Sequence, residues 1–241
     1  MEKIYFISDA HLGAGGNEEE KKKEEKLLSF LKHIQTNNSR LFILGDFFDV
    51  WFEYKHAIPN KNFRILKALA DLTEQGINID FLIGNHDCWI NSFFSRQLGI
   101  KTHTKPLDIT LQGKRLFLAH GHGLINQKPG DIILKKIIEN PINIYLYRLV
   151  SPDVGIPVAR GISRLSRFFG NKKMNPEDVK GYYIEFAKNR LDDGFDAVIM
   201  GHTHTGRVIN FDEKVYMNLG DWITLFSYGL LEDGQLSLNF W

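Results

Sequence analysis

The stretch KIYFISDAHLG (Lys3–Gly13) sets an apolar run directly against a polar end that carries Asp9 and His11. The run KIYFIS (Lys3–Ser8) reads as a buried strand, short and rich in β-formers. The pattern returns twice. LFILG (Leu41–Gly45) leads into Asp46 and Asp49 of GDFFD, and IDFLIG (Ile79–Gly84) leads into Asn85, His86 and Asp87 of GNHD. Between these runs the apolar period changes to that of a helix. Leu27, Leu28, Leu31 and Ile34 fall at 3–4 spacing within Glu18–Gln35, and Phe63–Gly76 closes on a glycine C-cap. Strand–helix–strand repetition of this length predicts crossover connections and a largely parallel sheet.

Past about residue 105 the rhythm alters. LDITLQGKRLFLAHG (Leu107–Gly121) predicts a hairpin turning at Gln112–Gly113. Asn175–Gly194 predicts a helix with a proline near its start, followed by strands in FDAVIMG, GRVINF, KVYMNLG, ITLFSYGLLE and GQLSLNFW. This last run suits an antiparallel or mixed second sheet. The expected fold class is therefore α/β, with two packed sheets in one domain spanning residues 1–241 and a helical lid inserted at 128–173.

Composition narrows the functional classes. The chain has 241 residues and a formal net charge of +1, which argues against a dedicated nucleic-acid binder. Its single cysteine, Cys88, permits neither an intramolecular disulfide nor a cysteine-rich zinc site. No run approaches the ~18 apolar residues of a spanning helix. The N-terminus starts on a strand with no charged leader or apolar h-region, so a cytoplasmic protein is expected.

Five strand ends deliver chemistry-bearing side chains: Asp9 and His11, Asp46 and Asp49, Asn85 with His86 and Asp87, His120 and His122 of AHGHG, and His202 and His204 of VIMGHTHTGRV. Each also has an ordinary structural reading. Asp46 suits a turn or an N-cap, Asn85 a turn, and His120 a strand end. Their convergence on the carboxyl edge of a sheet, where ligands bind in open α/β folds, is harder to dismiss. If the backbone through His202 and His204 stays extended, the two imidazoles face one side. Carboxylate, amide and imidazole donors without a thiolate suit hard and borderline divalent ions. Asp9, His11, Asp46 and His204 can surround one ion. Asn85, His120 and His202 can surround a second, with Asp46 shared. Two ions roughly 3.5–4 Å apart activate a water and clamp a phosphate.

The motifs D-x-H, G-D-x-x-D, G-N-H-D, a lone H-G and G-H-x-H stand here in order, and in this the chain resembles the calcineurin-like metallophosphoesterases over nearly its whole length. The resemblance implies two mixed sheets flanked by helices and carries the ligand roles above onto these positions. It further implies that His86, with Asp87 behind it, stabilises or protonates the transition state while Asp49 supports from behind the ligands. Two divalent ions are implied. Mn²⁺ is favoured, and Fe or Zn also suits the donors.

The segment between Lys128 and Lys173 bears on substrate. It interleaves Lys128, Lys135, Lys136, Arg148, Arg160, Arg164, Arg167, Lys172 and Lys173 with apolar positions, against only Asp131, Glu139 and Asp153. Such amphipathic basic helices suit an anionic lipid or a membrane surface, held peripherally, or a lid whose basic side is merely solvated. Within the family the chain looks most like members of lipid A biosynthesis that split a UDP-linked diacylglucosamine into UMP and a lipid monophosphate at the inner membrane. The segments ISDAHLG, GDFFDVWFEY and NLGDWI carry that likeness. Those members have arginine in GNRD where His86 stands here, and HGD where His122 stands. The substrate contacts implied are Arg160, Arg164 and Arg167, with Asn126 and Lys128 at the lid's base and His122 near the phosphate. A broader soluble phosphodiesterase or nucleotide phosphatase is the competing expectation, and a non-enzymatic scaffold the third. No protein partner is implied.

Overall fold

The computed structural model describes residues 2–35, 39–125, 133, 136–170 and 176–241, without the side chains of 165–170 and 176–180. Strands β1 (Lys3–Ile7), β2 (Ser39–Leu44), β3 (Asn78–Leu82) and β4 (Lys101–His103) lie parallel in that order. They are joined through helices α1 (Asn17–Gln35), α2 (Phe63–Glu74) and the short α3 (Phe93–Gln97). The sheet does not stop at β1. Strands β10 (Ser227–Glu232) and β11 (Gln235–Phe240) return from the end of the chain and pair antiparallel on its free edge, Tyr5 opposite Leu230. The result is a six-stranded mixed sheet.

The second sheet has five strands. Strands β5 (Leu107–Leu111) and β6 (Lys114–Ala119) form the hairpin at Gln112–Gly113. Strands β7 (Ala197–Met200) and β9 (Lys214–Asn218) run parallel to β6, with β8 (Arg207–Phe211) antiparallel at the edge.

Strand alternation sorts the apolar side chains into layers. From β1, Ile4 and Phe6 enter the core between the sheets with Phe42, Leu44, Leu118, Ile199 and Met217. Tyr5 and Ile7 point the other way, onto Leu27, Phe30 and Leu31 of α1 and Ile65 and Leu69 of α2. A third cluster seats Tyr183, Ala187 and Leu191 of helix α6 (Pro176–Asp192) on Val198 and Met200 of the second sheet. The order is helix, sheet, sheet, helix. Strands β1, β2, β3, β6 and β7 all point their carboxyl ends at the same edge, so the loops after them meet there.

Two more helices, α4 (Pro141–Arg148) and α5 (Pro152–Gly170), follow β6. Asn140 caps α4 by accepting the amide hydrogen of Ile142, with Pro141 at the first helical position. Tyr147 anchors the pair. It packs between Phe52, Tyr54 and Trp89, and its hydroxyl donates to the Gly155 carbonyl at 2.5 Å. Gly155, Ala159 and Ser163 form the buried face of α5, four residues apart, while Val154, Val158 and Ile162 are exposed on its other side.

Candidate metal centre

The loops at the shared edge are built by short, specific contacts. The Asp9 amide donates to the Gly45 carbonyl and the His11 amide to the Asp46 carbonyl at 2.9 Å, which ties the first two loops together. Two glycines let the others close in. A Cβ at Gly84 would stand 2.2 Å from Asp46 Oδ1, and one at Gly201 would stand 2.0 Å from Ser8 Oγ. Only a residue without a side chain admits such approach. Asp9 Oδ2 accepts from Ser8 Oγ at 2.6 Å and from the His202 amide at 2.8 Å, leaving Oδ1 turned to the site. Asp46 Oδ1 accepts the His86 amide, leaving Oδ2 turned there as well.

These free oxygens face imidazoles. Asp9 Oδ1 lies 3.2 Å from His204 Nε2 and 3.7 Å from His11 Nε2. Asp46 Oδ2 lies 3.2 Å from His120 Nε2, 3.7 Å from His11 Nε2 and 4.0 Å from His86 Nε2. Among the described residues three groups bring their donor atoms together: Asp9 with His11 and His204, His11 with Asp46 and His86, and Asp46 with His120 and His202. Asp46 belongs to two of them.

Asp9 Oδ1, His11 Nε2 and His120 Nε2 are buried without a hydrogen-bond partner. Leaving such atoms unpaired is costly unless something else binds them. Donor atoms 3–4 Å apart, oxygen and imidazole nitrogen only, fit the first shell of a divalent ion. His120 is set for this by its other nitrogen, Nδ1, which lies 2.7 Å from the Leu44 carbonyl and must donate to it, so that once the ring is neutral the lone pair sits on Nε2. Cys88 takes no part. Burial and the neighbouring Asp87 push its thiol up to about 12.

Charge in the metal-free site follows from the same contacts. Burial disfavours a charged His120, yet Asp46 outweighs it and pushes the imidazole up to about 9. His204, likewise against burial, is raised to about 10 by Asp221 and Asp9. His202 goes the other way, down to about 4, through burial and the nearby His120. The imidazoles hold Asp9 and Asp46 well below the usual carboxylate range despite their burial.

Several expectations need correcting. The backbone at His202 and His204 is not extended. Both residues have positive φ, 68° and 55°, and no strand covers them. This left-handed winding sends each imidazole to a different group, where an extended strand would have presented them side by side. Asp87 does not back His86. Its carboxylate accepts the amides of Gly84 at 2.7 Å and Phe47 at 2.9 Å, which pins the GNHD loop, and burial beside Asp46 raises it to about 7. Behind the His86 imidazole stand Asp49 and Ser163.

Asn85 is exposed on the same loop, and the His122 ring lies 5.3 Å from that of His120. Arg160 reaches across, so that a Cβ on Gly13 would meet its Nη2 at 3.5 Å. Arg164 is exposed. Asn126 and Lys128 lie outside the described residues, as does the side chain of Arg167. Sequence reading missed Ser163, which carries no local signal. It also missed Asp221, although the stretch NLGDWI around it was singled out.

Comparison with known proteins agrees with the fold. The family model for calcineurin-like phosphoesterases matches residues 2–206. A UDP-2,3-diacylglucosamine hydrolase of Porphyromonas gingivalis is 32% identical, covering 98% of this chain and 97% of that one. Proteins of the same name from Stutzerimonas stutzeri and Neisseria meningitidis serogroup B are 30% and 26% identical, over 91% and 98% of this chain. An archaeal phosphodiesterase of known structure superposes with a TM-score of 0.50 at 14% identity, covering 99% of both chains, a likeness of fold.

Proposed function

The chain belongs to the calcineurin-like phosphoesterase family, and from that premise we propose that it hydrolyses the pyrophosphate of UDP-2,3-diacylglucosamine to UMP and a 2,3-diacylglucosamine 1-phosphate. That it is a phosphoester hydrolase follows from the family. The substrate is inferred from end-to-end similarity to hydrolases of that name. The observation carrying the chemistry is the two carboxylate–imidazole groups Asp9–His11–His204 and Asp46–His120–His202, with Asp46 Oδ2 also 3.7 Å from His11 Nε2.

In this reading Asp9, His11, Asp46 and His204 hold one ion, and Asp46, Asn85, His120 and His202 the other, with Mn²⁺ first among candidates and Fe or Zn compatible with the donors. Bound there, two ions supply Lewis acidity to the phosphoryl oxygens and lower the pKa of an attacking water. His86 presents Nε2 toward that centre and protonates the leaving oxygen. Asp49 steadies the imidazole from behind. His122, Asn126, Lys128, Arg160, Arg164 and Arg167 serve the pyrophosphate and sugar, with Arg160 beside Gly13 best placed to do so.

Helices α4 and α5 act as a lid within a single domain. Their outer surface exposes Ile142, Tyr145, Leu146, Leu149, Val154 and Ile162, alongside the exposed Arg148 and Arg164. Monomeric proteins rarely leave such a face to water, and cations beside it favour anionic headgroups. We read it as docking peripherally on the cytoplasmic face of a membrane, where an acylated substrate resides. No helix among the described residues is long and apolar enough to cross one.

The test pairs two substrates with Mn²⁺-loaded protein. Release of UMP from UDP-2,3-diacylglucosamine, lost on chelation and restored by Mn²⁺, is expected. Hydrolysis of bis(p-nitrophenyl) phosphate without any UMP release would replace the lipid with a soluble phosphodiester as substrate.

A further inference from the structure

We infer that Ser163, on the lid helix, is a positioning residue that joins the Asp49 carbonyl in fixing the His86 ring and makes seating of α5 a condition of the chemistry. The inference rests on the proposed phosphoester hydrolysis.

Ser163 is 8% exposed and lies on the buried side of α5, one turn beyond Ala159. Its Oγ donates to Asp49 Oδ1 at 2.8 Å and lies 3.1 Å from His86 Nδ1. That same Nδ1 lies 2.9 Å from the Asp49 main-chain carbonyl. A carbonyl only accepts, so Nδ1 carries a hydrogen. The Asp49 carboxylate is too far to receive it directly, with Oδ1 at 3.6 Å from Nδ1. The serine hydroxyl fills that gap. Its one proton goes to the carboxylate, and its lone pair faces the Nδ1 hydrogen. Asp49 and His86 sit in loops after β2 and β3, whereas Ser163 arrives from a helix more than a hundred residues after Asp49. The loops alone leave the carboxylate and the ring out of hydrogen-bond reach, and the docked helix connects them.

Fixing the hydrogen on Nδ1 leaves Nε2 as the exchanging position, and Nε2 faces Asp46 Oδ2 at 4.0 Å. In the neutral Nδ1–H ring Nε2 carries a lone pair, so it first takes a proton from solvent. As a water oxygen bonds to phosphorus and the bond to the leaving oxygen breaks, that proton passes to the leaving oxygen, and the proton lost by the water goes to solvent. A ring turned or held in the other tautomer cannot do this.

Two measurements decide the matter. In metal-free protein labelled with ¹⁵N-histidine, the His86 resonances, assigned by their loss in His86→Asn, should report an Nδ1–H imidazole. Ser163→Ala should shift the Nδ1 signal and Ser163→Thr should keep it. An Nε2–H tautomer in the unaltered protein, or an Nδ1 signal indifferent to Ser163→Ala, overturns the inference. With Mn²⁺ added, p-nitrophenyl methyl phosphate and phenyl methyl phosphate compare a good and a poor leaving group. Ser163→Ala should lower kcat about tenfold for the poor leaving group and by less than about twofold for the good one, with KM unchanged and Ser163→Thr restoring turnover. Equal losses on both substrates also overturn it. Should the unaltered protein hydrolyse neither ester and release no UMP from UDP-2,3-diacylglucosamine, the phosphoester reading falls, and the tautomer measurement still decides the role of Ser163.

Discussion

The Nδ1 of His204 faces Oδ2 of Asp221 at 3.7 Å, from the side opposite Asp9. Asp221 is itself immobilised, since its Oδ1 accepts the amides of Ile223, Thr224 and Leu225. A carboxylate placed behind an imidazole raises its basicity through its charge, as Asp221 does for His204. Asp221→Ala is therefore expected to weaken metal binding at the Asp9, His11 and His204 group about 10- to 100-fold. Competition with a calibrated chelator measures this, and unchanged affinity would remove Asp221 from the site.

Metal uptake should expel protons. His120 and His204 titrate near 9 and 10 in the metal-free protein, so both are protonated at pH 7, while His202, near 4, is already neutral. An ion needs the imidazole lone pair. Binding at pH 7 should release about two protons per chain, and affinity should climb as pH rises toward 9–10. Calorimetry in buffers of different ionisation enthalpy reads the number directly. The raised values also mean that these imidazoles stabilise the metal-free fold fully below about pH 6.5. That contribution is lost as pH rises through about 9–10, so the metal-free Tm should fall across this window.

Gly84→Ala and Gly201→Ala should each cost about 2 kcal/mol or more, because the new methyl meets Asp46 or Ser8 at distances no carbon occupies. Gly113→Ala is the control. Unlike them it has a positive φ, 79°, but its Cβ would open onto empty space, so it should cost only about 1 kcal/mol, from the backbone alone. Chemical denaturation gives the three values, and metal content should drop in the first two alone.

Removing apolar surface from the lid separates membrane docking from chemistry. The double variant Leu146→Ser, Leu149→Ser loses two exposed leucines, each worth about 1–2 kcal/mol when buried in lipid. Sedimentation with phosphatidylglycerol vesicles should weaken at least about tenfold, while hydrolysis of bis(p-nitrophenyl) phosphate stays within about twofold. Full vesicle binding by the variant would remove the membrane from the proposal.

Periodicity and strand-end polarity made much of this molecule legible. Lys3–Ile7, Ser39–Leu44 and Asn78–Leu82 announce themselves as apolar runs, and Leu27, Leu31 and Ile34 reveal the buried face of α1. What escaped depends on partners remote in sequence. Lys101–His103 is three residues long, too short for any period to register. The final hairpin reads as more of the second sheet, because nothing local says that β1 has an unpaired edge. Ile223–Phe226, apolar enough for a strand, instead folds around the Asp221 carboxylate. The candidate ligands were visible as residue types, but the left-handed turns that aim His202 and His204 were not, since the residues that adopt them are histidines and not glycine or asparagine. Ser163 is one of two serines on a basic helix until α5 is packed.

Asp9, His11, Asp46, His202 and His204 all hold positive φ between 42° and 68°. Non-glycine side chains pay of order 1 kcal/mol or more for that conformation. Replacing any of the five by glycine would relieve the backbone while deleting a candidate ligand. The tension in these turns is thus kept for the side chains they aim, and a chain selected for relaxed loops alone would empty its own site.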